Sequence, residues 1–147
     1  MKILMVCLGN ICRSPMAEGI LSRLAEEEGL NWVVDSAGTG SWHIGEPPDR
    51  RAINTCALKG LDISGQRARQ VRSRDLDEFD LILAMDRSNL RDLIQMARST
   101  DRSNKIVAIT SFGNDHAEVP DPYYDGRFEE VYEILTPLCR QVIENYR

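Results

Sequence analysis

No apolar run near the start of the chain is long enough for a signal peptide or a membrane span, because Ile3-Leu4-Met5-Val6 gives way at once to Cys7 and Gly9. The chain is therefore expected in the cytoplasm, without membrane insertion. Cysteine is sparse. Cys7, Cys12, Cys56 and Cys139 show neither zinc-type spacing nor the density of a secreted disulfide scaffold, so thiols are expected. The only histidines, His43 and His116, lack a partner at metal-ligand spacing, and neither a metal nor a cofactor is expected. Positive charge is also in deficit, with 18 Lys and Arg against 23 Asp and Glu. That balance argues against nucleic-acid binding. Arg67, Arg69, Arg72 and Arg74 do cluster, but Asp75, Asp77 and Glu78 follow them, and the stretch reads as a solvated face. Internal repeats, linkers and low-complexity segments are absent.

What is present is an alternation of strand and helix patterns within 147 residues, one domain's worth spanning 1–147. Ile3 to Val6 reads as a buried strand delivering Cys7 at its end. Ser14 is placed to cap a helix that opens at Pro15 and carries Met16, Ala17, Ile20, Leu21 and Leu24. A second strand runs from Trp32 through Val34 toward Gly38. Pro48 and Asp49 open a helix with Ile53, Cys56 and Ala57, ending at Gly60. Leu81 to Met85 suits a central parallel strand, and Asp86 caps a helix with Leu90, Leu93, Ile94 and Ala97. Lys105 to Ile109 predicts a fourth strand. The last helix carries Phe128, Val131, Leu135, Leu138, Val142 and Ile143, with Pro137 expected to kink or divide it. These units imply a three-layer αβα sandwich, an α/β fold with a four-stranded parallel sheet of order 2-1-3-4 and helices on both faces. In that order the chain reverses beside the first strand, where open α/β sheets bind ligands at the strands' carboxyl ends. Cys7 lies there.

The segment Cys7-Leu8-Gly9-Asn10-Ile11-Cys12-Arg13-Ser14 combines a thiol, a glycine-opened turn and an arginine. Five residues between Cys7 and Arg13 can curl so that backbone N–H groups point inward, joined by the positive end of the next helix. A tetrahedral oxyanion fits such a cradle. The same groups stabilise a Cys7 thiolate. Arg13 offers a planar fork that can grip two phosphoryl oxygens, which a lysine could not do. An inert, half-buried cysteine followed by an unrelated arginine is the bland alternative, and placement between a strand and a Ser-Pro helix start favours the cradle.

Four segments, Val6 to Pro15, Asp35-Ser36-Ala37-Gly38-Thr39, Ala68-Arg69-Gln70 and Asp121-Pro122-Tyr123-Tyr124, together resemble the low-molecular-weight protein tyrosine phosphatase family, in family order from Lys2 almost to the C-terminus. The resemblance implies Cys7 as nucleophile, Arg13 as phosphate clamp and Asp121 as general acid. It implies Leu8, Gly9, Asn10, Ile11, Cys12, Ser14, Trp42, Tyr123 and Tyr124 as substrate-binding residues. Asn10, Ser14 and Ser36 match residues that hold the loop in shape by hydrogen bonds. Implied partners are phosphotyrosine-containing proteins, a tyrosine kinase among them, with phosphate or another oxyanion in the loop. A monomer is expected, since no apolar stripe is left unassigned.

Relatives that act on phosphoarginine resemble this chain with threonine at the position of Ile11, so Ile11 points to tyrosine. One departure is Gln66, where many relatives carry histidine; Gln66 can donate and accept hydrogen bonds but carries no charge. Cys12 reads either as a buried filler or as a reversible disulfide partner of Cys7. Cys56 and Cys139 read as packing. An arsenate reductase would need a cysteine pair after the third strand, and none occurs from Asp80 to Ser111. A phosphocarrier cysteine is the remaining alternative, against which Arg13 and Asp121 argue.

Overall fold

The computed structural model describes residues 1–98, 100–113 and 118–147, and His116 lies outside them. Strands β1 (Lys2–Cys7), β2 (Val33–Gly38), β3 (Leu81–Ala84) and β4 (Ile106–Ala108) form one parallel sheet in the order β2-β1-β3-β4. This is the order expected from the sequence. Successive strand side chains point to opposite faces, so the apolar runs fill two separate cores. Ile3, Met5, Leu81 and Leu83 join one of them, while Leu4, Val6, Ile82 and Ala84 join the other.

The first core is closed by α1 (Arg13–Glu27), α2 (Arg50–Leu58) and α7 (Phe128–Tyr146). Met16, Ile20 and Leu21 of α1 lie in it with Val131, Leu135 and Val142 of α7, all nearly inaccessible. The second core is closed by α4 (Arg87–Ala97), through Leu93 and Ala97, and by Leu76 and Phe79 around α3 (Asp75–Glu78). Short helices α5 (Thr100–Ser103) and α6 (Pro122–Asp125) complete the chain. Among the described residues no helix is long and apolar enough to cross a membrane. Burial pushes the Cys56 and Cys139 thiols up to about 12, as packing residues require.

Several boundaries differ from the sequence expectation. Helix α1 begins at Arg13, with Cys12 in the capping position and no side-chain cap, and Ser14 lies inside the helix with its hydroxyl against the Cys7 sulfur. Asp49 alone caps α2, accepting the N–H of Arg51, and Pro48 stands outside the helix. Ala57 and Ile94 are exposed, while Ala52 and Leu93 take the buried positions of α2 and α4. Strand β4 is shorter than expected because Ile109 opens a tight turn through Phe112.

Helix α7 runs undivided through Pro137. The proline lies on the solvent side with Glu133, whose carbonyl loses its usual helical donor, and water can replace that donor. Meanwhile Leu135, Leu138 and Cys139 stay packed in the core.

At the carboxyl edge of the sheet Gly38 pairs with Cys7. A Cβ at Gly38 would meet the Leu8 carbonyl oxygen at 2.7 Å. Backbone on both sides fixes that approach, since Thr39 N–H donates to Cys7 O and Gly40 N–H to Leu8 O, each at 2.9 Å. Gly38→Ala is expected to cost about 1–3 kcal/mol of stability through overpacking against a backbone that cannot yield. Chemical denaturation checks this, and a loss below roughly 0.5 kcal/mol, the ordinary surface range, would contradict it.

Candidate active site

The loop after β1 turns at Asn10, whose φ of 58° is left-handed. Asparagine tolerates that conformation better than most residues with a Cβ. The turn returns the Asn10 N–H to the Cys7 sulfur, 3.3 Å away. Among the described residues the N–H groups of Gly9, Ile11, Cys12, Arg13 and Ser14 have no protein acceptor. Unpaired donors at a helix start, beside a cysteine at a strand end, make the setting of an anion site.

Behind the loop, the Asn10 side chain sets the directions of the hydrogen bonds. Its Oδ1 accepts from the backbone N–H of Arg69 at 3.0 Å, a donor that cannot reverse. Nδ2 therefore faces the two serines and donates to Ser14 Oγ at 2.8 Å and Ser36 Oγ at 3.0 Å. Ser14 Oγ also lies 3.0 Å from Cys7 Sγ, a hydrogen bond in which either atom can donate. Ser36 in turn donates to Glu18 Oε1 at 2.7 Å. Asn10, Ser14 and Ser36 are all buried and lie behind the loop instead of in the cavity wall.

The Arg13 side chain is 4% exposed. Nη1 donates to Asp86 Oδ2 at 2.8 Å and to the Val119 carbonyl at 3.1 Å, and Nη2 lies 3.7 Å from Asp121 Oδ2. Burial opposes the guanidinium charge, but Cys7, Asp86 and Asp121 outweigh it and hold the pKa above the ordinary value. Nη1 is thus engaged by protein, which leaves the Nε and Nη2 edge of the fork for an anion. Asp121 caps α6 by accepting the Tyr123 N–H at 3.1 Å, and its side chain is 41% exposed.

A cavity of about 420 Å³ opens above the loop. Cys7, Gly9, Cys12 and Arg13 contribute to its base, and Leu8, Ile11, Trp42, His43, Asp121, Tyr123 and Tyr124 complete the lining. Trp42 and Tyr124 are largely exposed, and the Tyr123 and Tyr124 rings meet edge to face with centroids 4.9 Å apart. Burial pushes the Cys12 thiol well up, helped by the negative charges of Asp49, Cys7 and Asp121, so it rests as a neutral thiol. No group of three or more metal-type ligands occurs among the described residues.

The geometry adds residues that sequence reasoning passed over. Asp86 reads only as a helix cap, though its place directly after a central strand was a signal that it stands at the ligand edge. His43 lines the cavity, with Nδ1 3.1 Å from Glu46. Asp49 donates its N–H to Ile11 O, and Arg51 donates to Tyr123 O, so one helix start ties the anion loop to the Asp121 loop. Arg69 is not a solvated cation as expected, because it pairs with Asp35 at 3.1 Å and Asp75 at 2.9 Å.

The low molecular weight phosphotyrosine protein phosphatase family model matches residues 2–147. The chain belongs to that family. It is accordingly a hydrolase of the low molecular weight protein tyrosine phosphatase kind. The low molecular weight protein-tyrosine-phosphatase YfkJ of Bacillus subtilis is 44% identical over 146 residues, covering 97% of this chain and 93% of the relative. Its crystal structure has a TM-score of 0.94, covering 99% of this chain and 93% of that one. The human low molecular weight phosphotyrosine protein phosphatase is 40% identical over 149 residues, 97% of this chain and 94% of the relative. DARP, described as a drosophila arginine phosphatase, is 35% identical with a TM-score of 0.93, covering 100% of this chain and 98% of that one. The backbone is therefore shared by proteins named for different phosphorylated residues.

Asp75 is 1% exposed and holds the Arg69 segment by accepting from the guanidinium and from the Arg72 N–H. Burial raises its pKa, but the bonds from Arg69 and Arg72 more than offset this and hold the carboxyl below its ordinary value. A depressed carboxyl contributes stability above its unfolded pKa and loses it on acidification. Asp75→Asn is expected to destabilise the fold by roughly 1–3 kcal/mol at neutral pH, the scale of charge-assisted hydrogen bonds lost while Arg69 keeps Asp35. In urea melts across pH, that gap should narrow only below the ordinary carboxylate range. A gap that already closes near neutral pH would contradict the assignment.

Proposed function

We propose that the protein hydrolyses phosphotyrosine in proteins through a phosphocysteine intermediate. The observation that carries this reading is the arrangement of Cys7, the unpaired loop N–H groups and buried Arg13, with Asp121 beside the guanidinium. The Cys7 sulfur attacks phosphorus in line with the leaving oxygen, forming S–P as P–O breaks, while the loop N–H groups and Arg13 stabilise the equatorial oxygens. Asp121 gives its proton to the departing phenolate. Its carboxylate then takes a proton from the water that attacks the phosphocysteine, releasing phosphate and restoring the thiolate.

Leu8, Ile11, Trp42, Tyr123 and Tyr124 supply apolar and aromatic wall for a phenyl ring, which favours an aryl phosphate over a short alkyl one. Ile11 offers no hydroxyl to a guanidinium-bearing substrate. Four free thiols suit a reducing compartment such as the cytoplasm. Cys12, a neutral thiol in the same cavity, is read as the partner that captures an oxidised Cys7 in a reversible disulfide.

Phosphate release from phosphotyrosine, phosphoserine and phosphoarginine peptides in chelator is expected chiefly from phosphotyrosine. Cys7→Ser should abolish it by at least about a thousandfold. Release from phosphoarginine instead would redirect the substrate, and no release from any peptide would favour a carrier role. Asp121→Ala is expected to slow poor leaving groups by about 10²–10⁴, with far smaller loss on activated aryl phosphates. Equal losses on both would remove Asp121 as the acid. Cys12→Ser should make peroxide inactivation harder to reverse with thiol reductant, and unchanged recovery would sink the disulfide.

A further inference from the structure

Glu18 is a half-buried carboxyl that the chemistry above does not use, four residues after Ser14 and on the same side of α1. It ends the chain of hydrogen bonds that begins at the nucleophile: Cys7 to Ser14 at 3.0 Å, Ser14 to Asn10 at 2.8 Å, Asn10 to Ser36 at 3.0 Å and Ser36 to Glu18 at 2.7 Å. We propose that Glu18 is a positioning residue whose carboxylate, by accepting the Ser36 hydroxyl proton, locks the directions of this chain and so orders the Cys7 loop.

The numbers of donors and acceptors along the chain fix those directions. Ionised, Glu18 can only accept, so Ser36 must donate to it and must keep a lone pair for Asn10 Nδ2. That keeps both amide hydrogens of Asn10 on the serines and leaves the Ser14 hydrogen available to the Cys7 sulfur. Protonated, Glu18 becomes a donor as well and competes for the Ser36 oxygen. The Ser36 hydrogen is then free to swing toward Asn10, where it opposes an N–H that Arg69 prevents from turning away. The loop therefore holds its order when Glu18 is charged and relaxes when it is neutral.

The charged groups acting on Glu18 are Asp35 at β2 and Arg69 beyond it, the first opposing its charge and the second favouring it. Burial has the largest influence, and together these push the carboxyl up to about 7, against favourable bonding from Ser36. Gln66, in the place where the family resemblance leads one to expect histidine, adds no charge. Its Nε2 donates to Pro15 O at 3.1 Å, and its buried Oε1 has no partner. The switch thus falls to Glu18 itself, within the pH range where a small change in acidity alters its state.

This inference rests on Cys7 as the nucleophile, but its test needs no turnover. The rate of iodoacetamide modification at Cys7, followed by mass spectrometry of the Cys7 peptide, is measured against pH for wild type and Glu18→Gln. Glutamine is neutral throughout and mimics the protonated state. The ratio of wild-type to variant rate should stay near unity in acid and rise about threefold or more through the Glu18 transition, a fraction of the tenfold per pKa unit that a thiol allows. A ratio constant with pH would reduce Glu18 to packing and overturn the proposal, as would a ratio that falls. Ser36→Ala, which cuts the relay but keeps the carboxyl, should show the same pH-dependent deficit, and adding Glu18→Gln to it should change nothing further. Independent pH-dependent deficits in the two variants would equally overturn it. Loss of phosphatase activity with the ratio intact would instead indict the functional reading alone.

Discussion

The shape of the anion cradle depends on one hydrogen bond between segments far apart in the chain, from the Arg69 backbone N–H to Asn10 Oδ1. An amide side chain can be turned over at little cost, and a hydroxyl rotates freely, so a network of Asn and two Ser has several self-consistent patterns. A backbone donor has only one direction. Once Arg69 presents it, the Asn10 amide has a single orientation and both serines become acceptors from it, while the Ser14 hydroxyl also meets the Cys7 sulfur. The Arg69 segment is itself held by its guanidinium between Asp35 and Asp75 and by its carbonyl accepting the Gly38 N–H.

This arrangement explains which parts of the site are legible in the sequence. The strand, the glycine turn and the Ser-Pro helix start are local signals, so Cys7, the loop and Arg13 stand out from the residues alone. The sheet order followed from alternating apolar periods, whose residues now divide between two cores. Groups that act across the fold left weaker traces. Asp86 looked like an ordinary helix cap, a task it does perform with its other oxygen while binding Arg13. Arg69 sat in a run of arginines whose composition suggested solvent, and only tertiary packing brings Asp35 and Asp75 to it. Ser14 was legible as a polar residue at a helix start, but its hydroxyl serves the thiol, since a helix that faces an anion leaves its N–H groups uncapped. Pro137 shows the converse, a local breaker overruled by the apolar face around it.

Membership of the phosphatase family and the backbone shared with YfkJ and DARP account for the scaffold. The scaffold is thus common to proteins of different names. The lining here is mostly apolar and aromatic, with Arg13, Asp121 and His43 as its charged or titratable exceptions besides the two thiols. Each of the two loops that shape it is anchored to the start of α2, one through Asp49 and one through Arg51. The cavity walls are thereby referred to a single rigid element.

The groups that meet at Arg13 come from β1, from the end of β3 and from the loop before α6, and Asp121 follows more than four fifths of the chain. Neither the cradle nor its arginine is complete until contacts of long sequence separation have formed, and such contacts arise late in the folding of a parallel sheet. A chain cut before its last strand, β4, would carry the cysteine loop without Val119 or Asp121 beside Arg13. The loop's position near the N-terminus thus does not make its surroundings early to form. Its full set of partners exists only once the whole sheet is assembled.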